Sequence, residues 1–167
     1  MKEPETYGRA NFLHRAMRRL AATPPGSWLF ARVLHHIDRP VFRMTRGRHT
    51  VGSLVSGLPV VMLSTTGARS GATRSVPVLG LPTASGVAVI ASNYGQRSHP
   101  AWYYNLRAKP EGVVTVDGVS RRFRAHEAEG EERSRIWQEG LTVYPGWAEY
   151  ERRAPHRTIA VFVLDTD

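Results

Sequence analysis

The spacing of apolar and polar positions changes once along the chain. Phe12, Leu13, Ala16, Met17 and Leu20 fall in one arc of a helical wheel, with Arg15, Arg18 and Arg19 on the opposite side, which predicts a basic amphipathic helix. Pro24, Pro25 and Gly26 stop it, and Ser27 is placed to cap a second helix through Trp28, Leu29, Phe30, Val33, Leu34 and Ile37. Asp38 can cap a further start, with Pro40 in its first turn and Val41, Phe42 and Met44 following. Residues 1–45 therefore read as a helical segment separable from residues 46–167. From Leu58 onward, short β-branched runs bounded by Gly, Pro, Ser and Asp take over. They predict strands from Val60 to Thr65, Arg74 to Leu81, Val87 to Ser92, Val113 to Val116, Val119 to Ala125 and Thr158 to Leu164. Asp117-Gly118 fits a two-residue hairpin turn. Two helices interrupt the strands: one after Ser98, with Pro100 in its first turn, runs to Pro110, and the other runs from Glu131 to Val143. Strands joined mostly by hairpins predict an α+β fold with a mainly antiparallel sheet curled into a barrel.

Composition narrows the chemistry. A chain of 167 residues suits one principal core. Without cysteine there is no disulfide, thiolate metal site, iron–sulfur cluster or cysteine nucleophile, so redox chemistry has to be borrowed from a cofactor. The net charge is +9, and residues 1–50, with ten basic and three acidic groups, hold +7 of it. A front end so basic suits a polyanionic partner or a solvated face. Its arginines interrupt any signal-like apolar core, and no run is long enough to span a bilayer, so the expected location is cytoplasmic.

Three stretches can carry chemistry. S-T-T-G-A-R-S-G-A-T-R-S-V-P, Ser64 to Pro77, joins two strands through a turn with two glycines and two arginines. It is not a Walker loop, because Gly67 and Gly71 are separated by three residues and no Lys-Ser or Lys-Thr follows. It can form a nest of backbone N–H groups ringed by Thr65, Thr66, Ser70, Arg69 and Arg74, which suits phosphate; a solvated polar hairpin tip has the same composition. In A-S-N-Y-G-Q-R-S-H-P-A-W-Y-Y-N-L-R-A-K-P, Ala91 to Pro110, small residues at a strand end let a planar ring approach Ser92, Asn93 and Gly95. Trp102 and Leu106 are at core spacing there, and Asn105 is a buried-polar candidate that needs hydrogen-bond partners. V-Y-P-G-W-A-E-Y, Val143 to Tyr150, spaces Tyr144, Trp147 and Tyr150 three apart, as a lid over a substrate or as packing for the last strand. The histidines lack metal-ligand spacing, H-E-x-x-H and G-x-S-x-G are absent, and no nucleic-acid-binding motif stands out.

In this order, and followed by I-A-V-F-V-L, these stretches resemble the deazaflavin-dependent nitroreductase family from about Arg39 to the C-terminus. The resemblance implies a split β-barrel and the deazaflavin coenzyme F420, with flavin mononucleotide on the same barrel as the alternative. It places the coenzyme phosphate at Thr65, Thr66, Gly67, Arg69, Ser70 and Gly71, with Arg74 nearby and Pro77 beside the ring system. The ring lies along Ala91, Ser92 and Asn93, with Trp102 and Asn105 supporting that strand end. Tyr144, Trp147 and Tyr150 match aromatic positions that close over substrate, and Ser92 matches a serine that hydrogen-bonds a substrate oxygen. The chain departs from nitro-reducing relatives at Asn93, Tyr94 and Trp147, where they often carry lysine, glycine and tyrosine, and these departures bear on substrate more than on coenzyme.

The implied activity is hydride transfer from reduced F420 to an electron-poor small molecule: a quinone, a nitroaromatic or an activated alkene. Ser92 and Tyr150 are the candidates for holding the acceptor oxygen, with the proton from a tyrosine or from water. The basic first helix can rest on an acidic membrane or cover the coenzyme's anionic tail. No nucleic-acid partner is expected, and the expected assembly is a monomer or homodimer. The competing class is a non-catalytic basic binder of nucleic acid or acidic lipid.

Overall fold

The β-branched runs after Leu58 pair into six antiparallel strands. A computed structural model of the chain describes residues 58–167, so the expected N-terminal helices and the boundary near residue 45 lie outside the described residues. Strands β1 (Val60–Thr66), β2 (Thr73–Pro82), β3 (Gly86–Ile90), β4 (Glu111–Val116), β5 (Val119–Glu127) and β6 (Val161–Thr166) close in the order β1-β2-β3-β6-β5-β4. Helix α1 (Ala101–Ala108) follows β3, and α2 (Gly130–Val143) and α3 (Gly146–Arg153) lie between β5 and β6. This is the expected α+β split barrel.

Alternation along the strands builds two cores. Val61, Leu63, Val87, Val89, Val114, Phe123, Phe162 and Leu164 fill the barrel, joined by Trp102 and Leu106 of α1. The other face of β3 and β6 presents Ala88, Ile90, Val161 and Val163 to Ile136, Trp137, Tyr144, Trp147 and Tyr150 of the α2–α3 region. The close approaches are set by glycine. A side chain at Gly80 would press on Val61 and Val87 inside the barrel, and one at Gly140 would meet the Trp147 ring.

The expected strands all form, with ends displaced by one to three residues. The third stops at Ile90, short of Ser92, because the Ser92 N–H turns back onto the Ile90 carbonyl and a one-turn 3-10 helix, Asn93–Gly95, follows. The last begins at Val161, since residues 158–160 lead into it as loop. Pro100 stands at the N-cap of α1, one position before the expected first turn. Asp117 (φ +50°) and Gly118 (φ +83°) make the two-residue turn between β4 and β5. The separate helix α3 was not expected; Pro145 breaks the chain after α2 and α3 restarts at Gly146.

Pro77 sits within β2 without disturbing the sheet. Beyond its pairing with β1, β2 pairs with β3 only at Gly80–Pro82, so Thr73–Leu79 has an open side. The Gly80 N–H bonds to the Pro59 carbonyl of the β1 side, and alternation from there turns the imino nitrogen of Pro77 toward the open side, where a missing donor costs nothing.

His126 ties the barrel to α2. Its Nδ1 lies 3.0 Å from an Asp165 carboxylate oxygen and its Nε2 3.1 Å from one of Glu132. Burial pulls its pKa down, but the hydrogen bonds and negative charge of Glu132 and Asp165 outweigh burial and raise it. The raised folded-state value means the clasp is fully present below the ordinary histidine value of about 6.5 and is lost as pH rises through the folded pKa. With all three groups partly exposed, its contribution is no more than about 1 kcal/mol. His126→Gln is therefore expected to flatten the fall in melting temperature between mildly acidic and mildly alkaline pH, measured by thermal denaturation against pH. An unchanged slope would show that other groups set it.

Candidate active site

Strand direction decides which loops meet. In an antiparallel order the exits of β1, β3 and β5 and the entries of β2, β4 and β6 share one end of the barrel. The β1–β2 turn, with Gly67, Arg69, Ser70 and Gly71, therefore stands at the same end as Ala91, Ser92 and Asn93. Two stretches more than twenty residues apart in sequence are brought together, as the phosphate and ring assignments require.

The link between them is α1, which starts near the β3 exit and packs beneath the turn. Asn105 is buried and spends its amide on this junction. Its Oδ1 accepts the Ala68 N–H at 2.9 Å, and its Nδ2 donates to Thr65 Oγ1 at 3.0 Å. Asn105 thus braces the turn itself and not the β3 strand end. Thr65, only 2 % exposed, is committed to the same bond.

The turn differs from a nest in how its donors are used. The Gly67 N–H bonds to the Ala72 carbonyl and the Gly71 N–H to the Gly67 carbonyl, both at 2.8 Å, and the Ala72 N–H reaches Ser70 Oγ at 3.4 Å. With Ala68 held by Asn105, the outward resources are the Arg69 and Ser70 backbone, the Ser70 hydroxyl and two guanidiniums. Arg69, Ser70, Gly71 and Arg74 are exposed. Gly71 (φ +66°) stands in the left-handed region, and a side chain there would meet nothing within 4 Å, so the tip is open to a ligand. At Gly67 a Cβ would lie 2.7 Å from Ser70 Oγ and 3.1 Å from the Ala72 carbonyl oxygen, so glycine lets the turn close on itself. Thr66 is half-buried at the end of β1, opposite Thr73.

At the β3 exit Ala91 is fully buried while Ser92, Asn93 and Tyr94 are half-buried. Asn93 (φ +47°) and Tyr94 (φ +57°) both adopt left-handed backbone, an uncommon state for residues with side chains. The Asn93 Nδ2 donates to the Ser98 carbonyl at 2.8 Å, closing the loop. Trp102 is a core residue, edge-on to Phe162 with ring centroids 6.2 Å apart. His99 stacks on Tyr103 at 3.9 Å, and burial and the Arg157 charge lower its pKa against a weaker opposing pull from Glu127.

Tyr144, Trp147 and Tyr150 gather behind this loop and not over it. All three are buried, and the Tyr144 and Tyr150 hydroxyls lie 2.8 Å apart. Tyr94 meets Tyr150 edge-on at 6.0 Å, and Gly95 (φ +74°) lets the loop touch the Tyr150 backbone. The expected lid is a buried backing in this structure. Burial and the Tyr144 neighbour raise the Tyr150 pKa far above that of an ordinary phenol.

Sequence reasoning passed over Arg157, which reaches the loop from beyond α3. Its Nη2 donates to the Ser92 carbonyl at 2.8 Å, Nη1 to the Ala91 carbonyl at 3.2 Å, and Nε to the Gln96 carbonyl at 3.2 Å. No local pattern marks it, since its partners are some sixty positions away. Among the described residues no group of three or more histidine or acidic side chains converges on a metal-sized site, and no helix is long and apolar enough to cross a membrane.

A split barrel with a basic, open turn and a small-residue strand exit at one end suits a coenzyme-binding oxidoreductase, and the comparisons with known proteins assign that class. The family model for F420H(2)-dependent quinone reductases matches residues 37–166. The chain belongs to this family and is an F420H2-dependent reductase whose cofactor is F420. It is 37 % identical to a solved structure described as an F420-H2 dependent reductase, FDR-A, over 64 % of this chain and 94 % of that one, with a TM-score of 0.59. A second solved structure, described as a domain-swapped dimer, is 34 % identical over 84 % of this chain and 99 % of that one, with a TM-score of 0.61. The F420H(2)-dependent quinone reductase Rv1261c of Mycobacterium tuberculosis is 29 % identical over 104 residues, 59 % of this chain and 66 % of that protein.

Proposed function

We propose that F420H2 binds across the barrel end, with its phosphate at the β1–β2 turn and its ring along Ala91, Ser92 and Asn93, and that the acceptor is a quinone. The observation that carries this is the junction made by Asn105, which fixes the turn to the helix that leaves the β3 exit. The donor set fits the group. Two exposed guanidiniums, a serine hydroxyl and an open glycine tip suit a phosphate, and half-buried small residues suit the approach of a flat ring. The name of the Mycobacterium tuberculosis relative supports a quinone, a flat electron-poor acceptor of the class expected from the chemistry.

When bound, F420H2 supplies a hydride, and a quinone becomes a hydroquinone by taking up that hydride and one proton. The chain's own residues hold and orient. The Ser92 carbonyl is fixed by Arg157 and by the Gly95 N–H, which leaves the hydroxyl as the group to meet the acceptor oxygen. Tyr150 remains protonated at any working pH and its hydroxyl is engaged with Tyr144, so it shapes the wall while the proton comes from water. Tyr144 and Trp147 back the same wall. The two aromatic helices thereby exclude solvent from the loop's inner side and leave one face for the acceptor.

The basic front segment is proposed to meet the anionic coenzyme tail or an acidic membrane surface of a cytoplasmic protein. The 34 % identical relative supports a homodimer.

Titration of the purified protein with F420, followed by coenzyme fluorescence, is expected to saturate at micromolar concentration. With F420H2, quinones are expected to turn over faster than nitroaromatics or enones. No binding at micromolar F420, or a protein that purifies yellow and prefers flavin mononucleotide, would overturn the coenzyme assignment; a faster enone or nitroaromatic would overturn the acceptor alone.

A further inference from the structure

We propose that Arg157 is a positioning residue that holds the coenzyme-ring segment, Ala91–Gln96, in its binding shape; this rests on the placement of the ring along Ala91–Asn93. The segment leaves β3 after Ile90 and lacks a neighbouring strand to bond with. Its Ala91 N–H still reaches the Ala160 carbonyl, after which the ladder with β6 has ended. The Arg157 guanidinium takes over from the missing strand. It donates to three carbonyls, those of Ala91, Ser92 and Gln96, and its Nη1 also meets His99 Nδ1 at 3.2 Å.

These four bonds enclose the turn that puts Asn93 and Tyr94 into left-handed backbone, a conformation that needs external support. The bond to His99 also orients that ring, which stacks on Tyr103 of α1. Nδ1 accepts from the guanidinium, so the His99 proton resides on Nε2. His156 adds an outer tie, its Nε2 lying 2.8 Å from the Arg97 carbonyl. The polar ties to the ring segment thus come from Arg157 and His156 in the loop after α3, beside the packing of Tyr94 and Gly95 on Tyr150 of α3.

A planar fork of fixed N–H directions is required, because three carbonyls and a ring nitrogen cannot all be met by a lysine ammonium on a flexible stem. Arg157→Lys keeps the charge and removes the fork. It is expected to raise backbone amide exchange in residues 91–96 by about tenfold or more and to weaken F420 binding by about tenfold or more, with the far-UV circular dichroism unchanged. Added ethylguanidine is expected to restore part of the affinity of Arg157→Ala, which a purely structural defect would not allow. Arg133→Lys is the control, since Arg133 also donates to a carbonyl, that of Ile159 at 3.2 Å, but away from the loop; it is expected to lower the melting temperature and leave F420 affinity unchanged.

The exchange measurement needs no coenzyme, so it is read separately from the coenzyme assignment. Wild-type exchange in residues 91–96 of Arg157→Lys would overturn the clamp. Raised exchange with wild-type F420 affinity would overturn its role in coenzyme binding. If Arg157→Ala does not fold, Arg157→Lys decides both points.

Discussion

Replacing Arg69 and Arg74 together by alanine is expected to raise the F420 dissociation constant by about 100-fold or more while leaving the fold intact. A hydrogen bond to a charged group contributes about 1.5–3 kcal/mol, and each 1.4 kcal/mol is about tenfold in affinity, so two guanidiniums lost from one phosphate reach that range at low salt. Both residues are exposed, and the backbone of the turn is closed by Gly67, Ala72 and Asn105 without them. The melting temperature should therefore hardly move, in keeping with the ±0.5 kcal/mol typical of surface substitutions. The remaining affinity is expected to lose most of its dependence on salt. Fluorescence titration of F420 at two ionic strengths, beside a thermal melt, measures all three effects. Affinity within a few-fold of wild type would move the phosphate away from this turn.

Asn105→Ala is expected to act on stability and binding together. The substitution removes the acceptor for the Ala68 N–H and the donor to Thr65 Oγ1, and it empties volume at a side chain that is only 7 % exposed. The loss of one buried and one part-buried hydrogen bond, with the resulting void, costs about 3 kcal/mol. The turn then loses its tie to α1, so F420 affinity is expected to fall even at temperatures where the protein remains folded. Denaturant unfolding and F420 titration of the same preparation separate the two effects. If stability falls and affinity does not, the turn keeps its shape through the Gly67–Ala72 and Gly67–Gly71 bonds alone.

These three residues show what local pattern can and cannot reveal. The arginines were legible as anion-binding candidates because cationic side chains flank two glycines at a hairpin tip, a composition shared with a merely solvated turn, and the ordered motifs around them favoured the anion. Asn105 was legible only as a polar residue needing partners. Its actual partners, Thr65 and Ala68, lie 40 and 37 positions away, and no periodicity carries that distance. The same reason hides Arg157. In the V-Y-P-G-W-A-E-Y stretch the three-residue spacing marked one face of a chain, but not the side on which that face would be covered. Burial of Tyr144, Trp147 and Tyr150 against Ile90 and Val161 depends on α3 folding back onto the outer face of β3 and β6. Which backbone donors the turn keeps for itself was hidden for a related reason: they look available in sequence until the turn that contains them has closed.

By itself, the sequence determined the strands, two of the three α-helices among the described residues, the Asp117-Gly118 turn and the antiparallel barrel, because alternation, prolines and glycines act over a few residues. It also determined, through resemblance of its ordered motifs, the deazaflavin family. The tertiary structure alone decided that the basic turn and the β3 exit share one end of the barrel, that Asn105 braces the turn, that the aromatic trio backs the loop and that Arg157 clamps it. Those relations arise from closure of the sheet and from hydrogen bonds across 37 to 66 positions, where the partner of a polar group is set by the path of the whole chain and not by its neighbours.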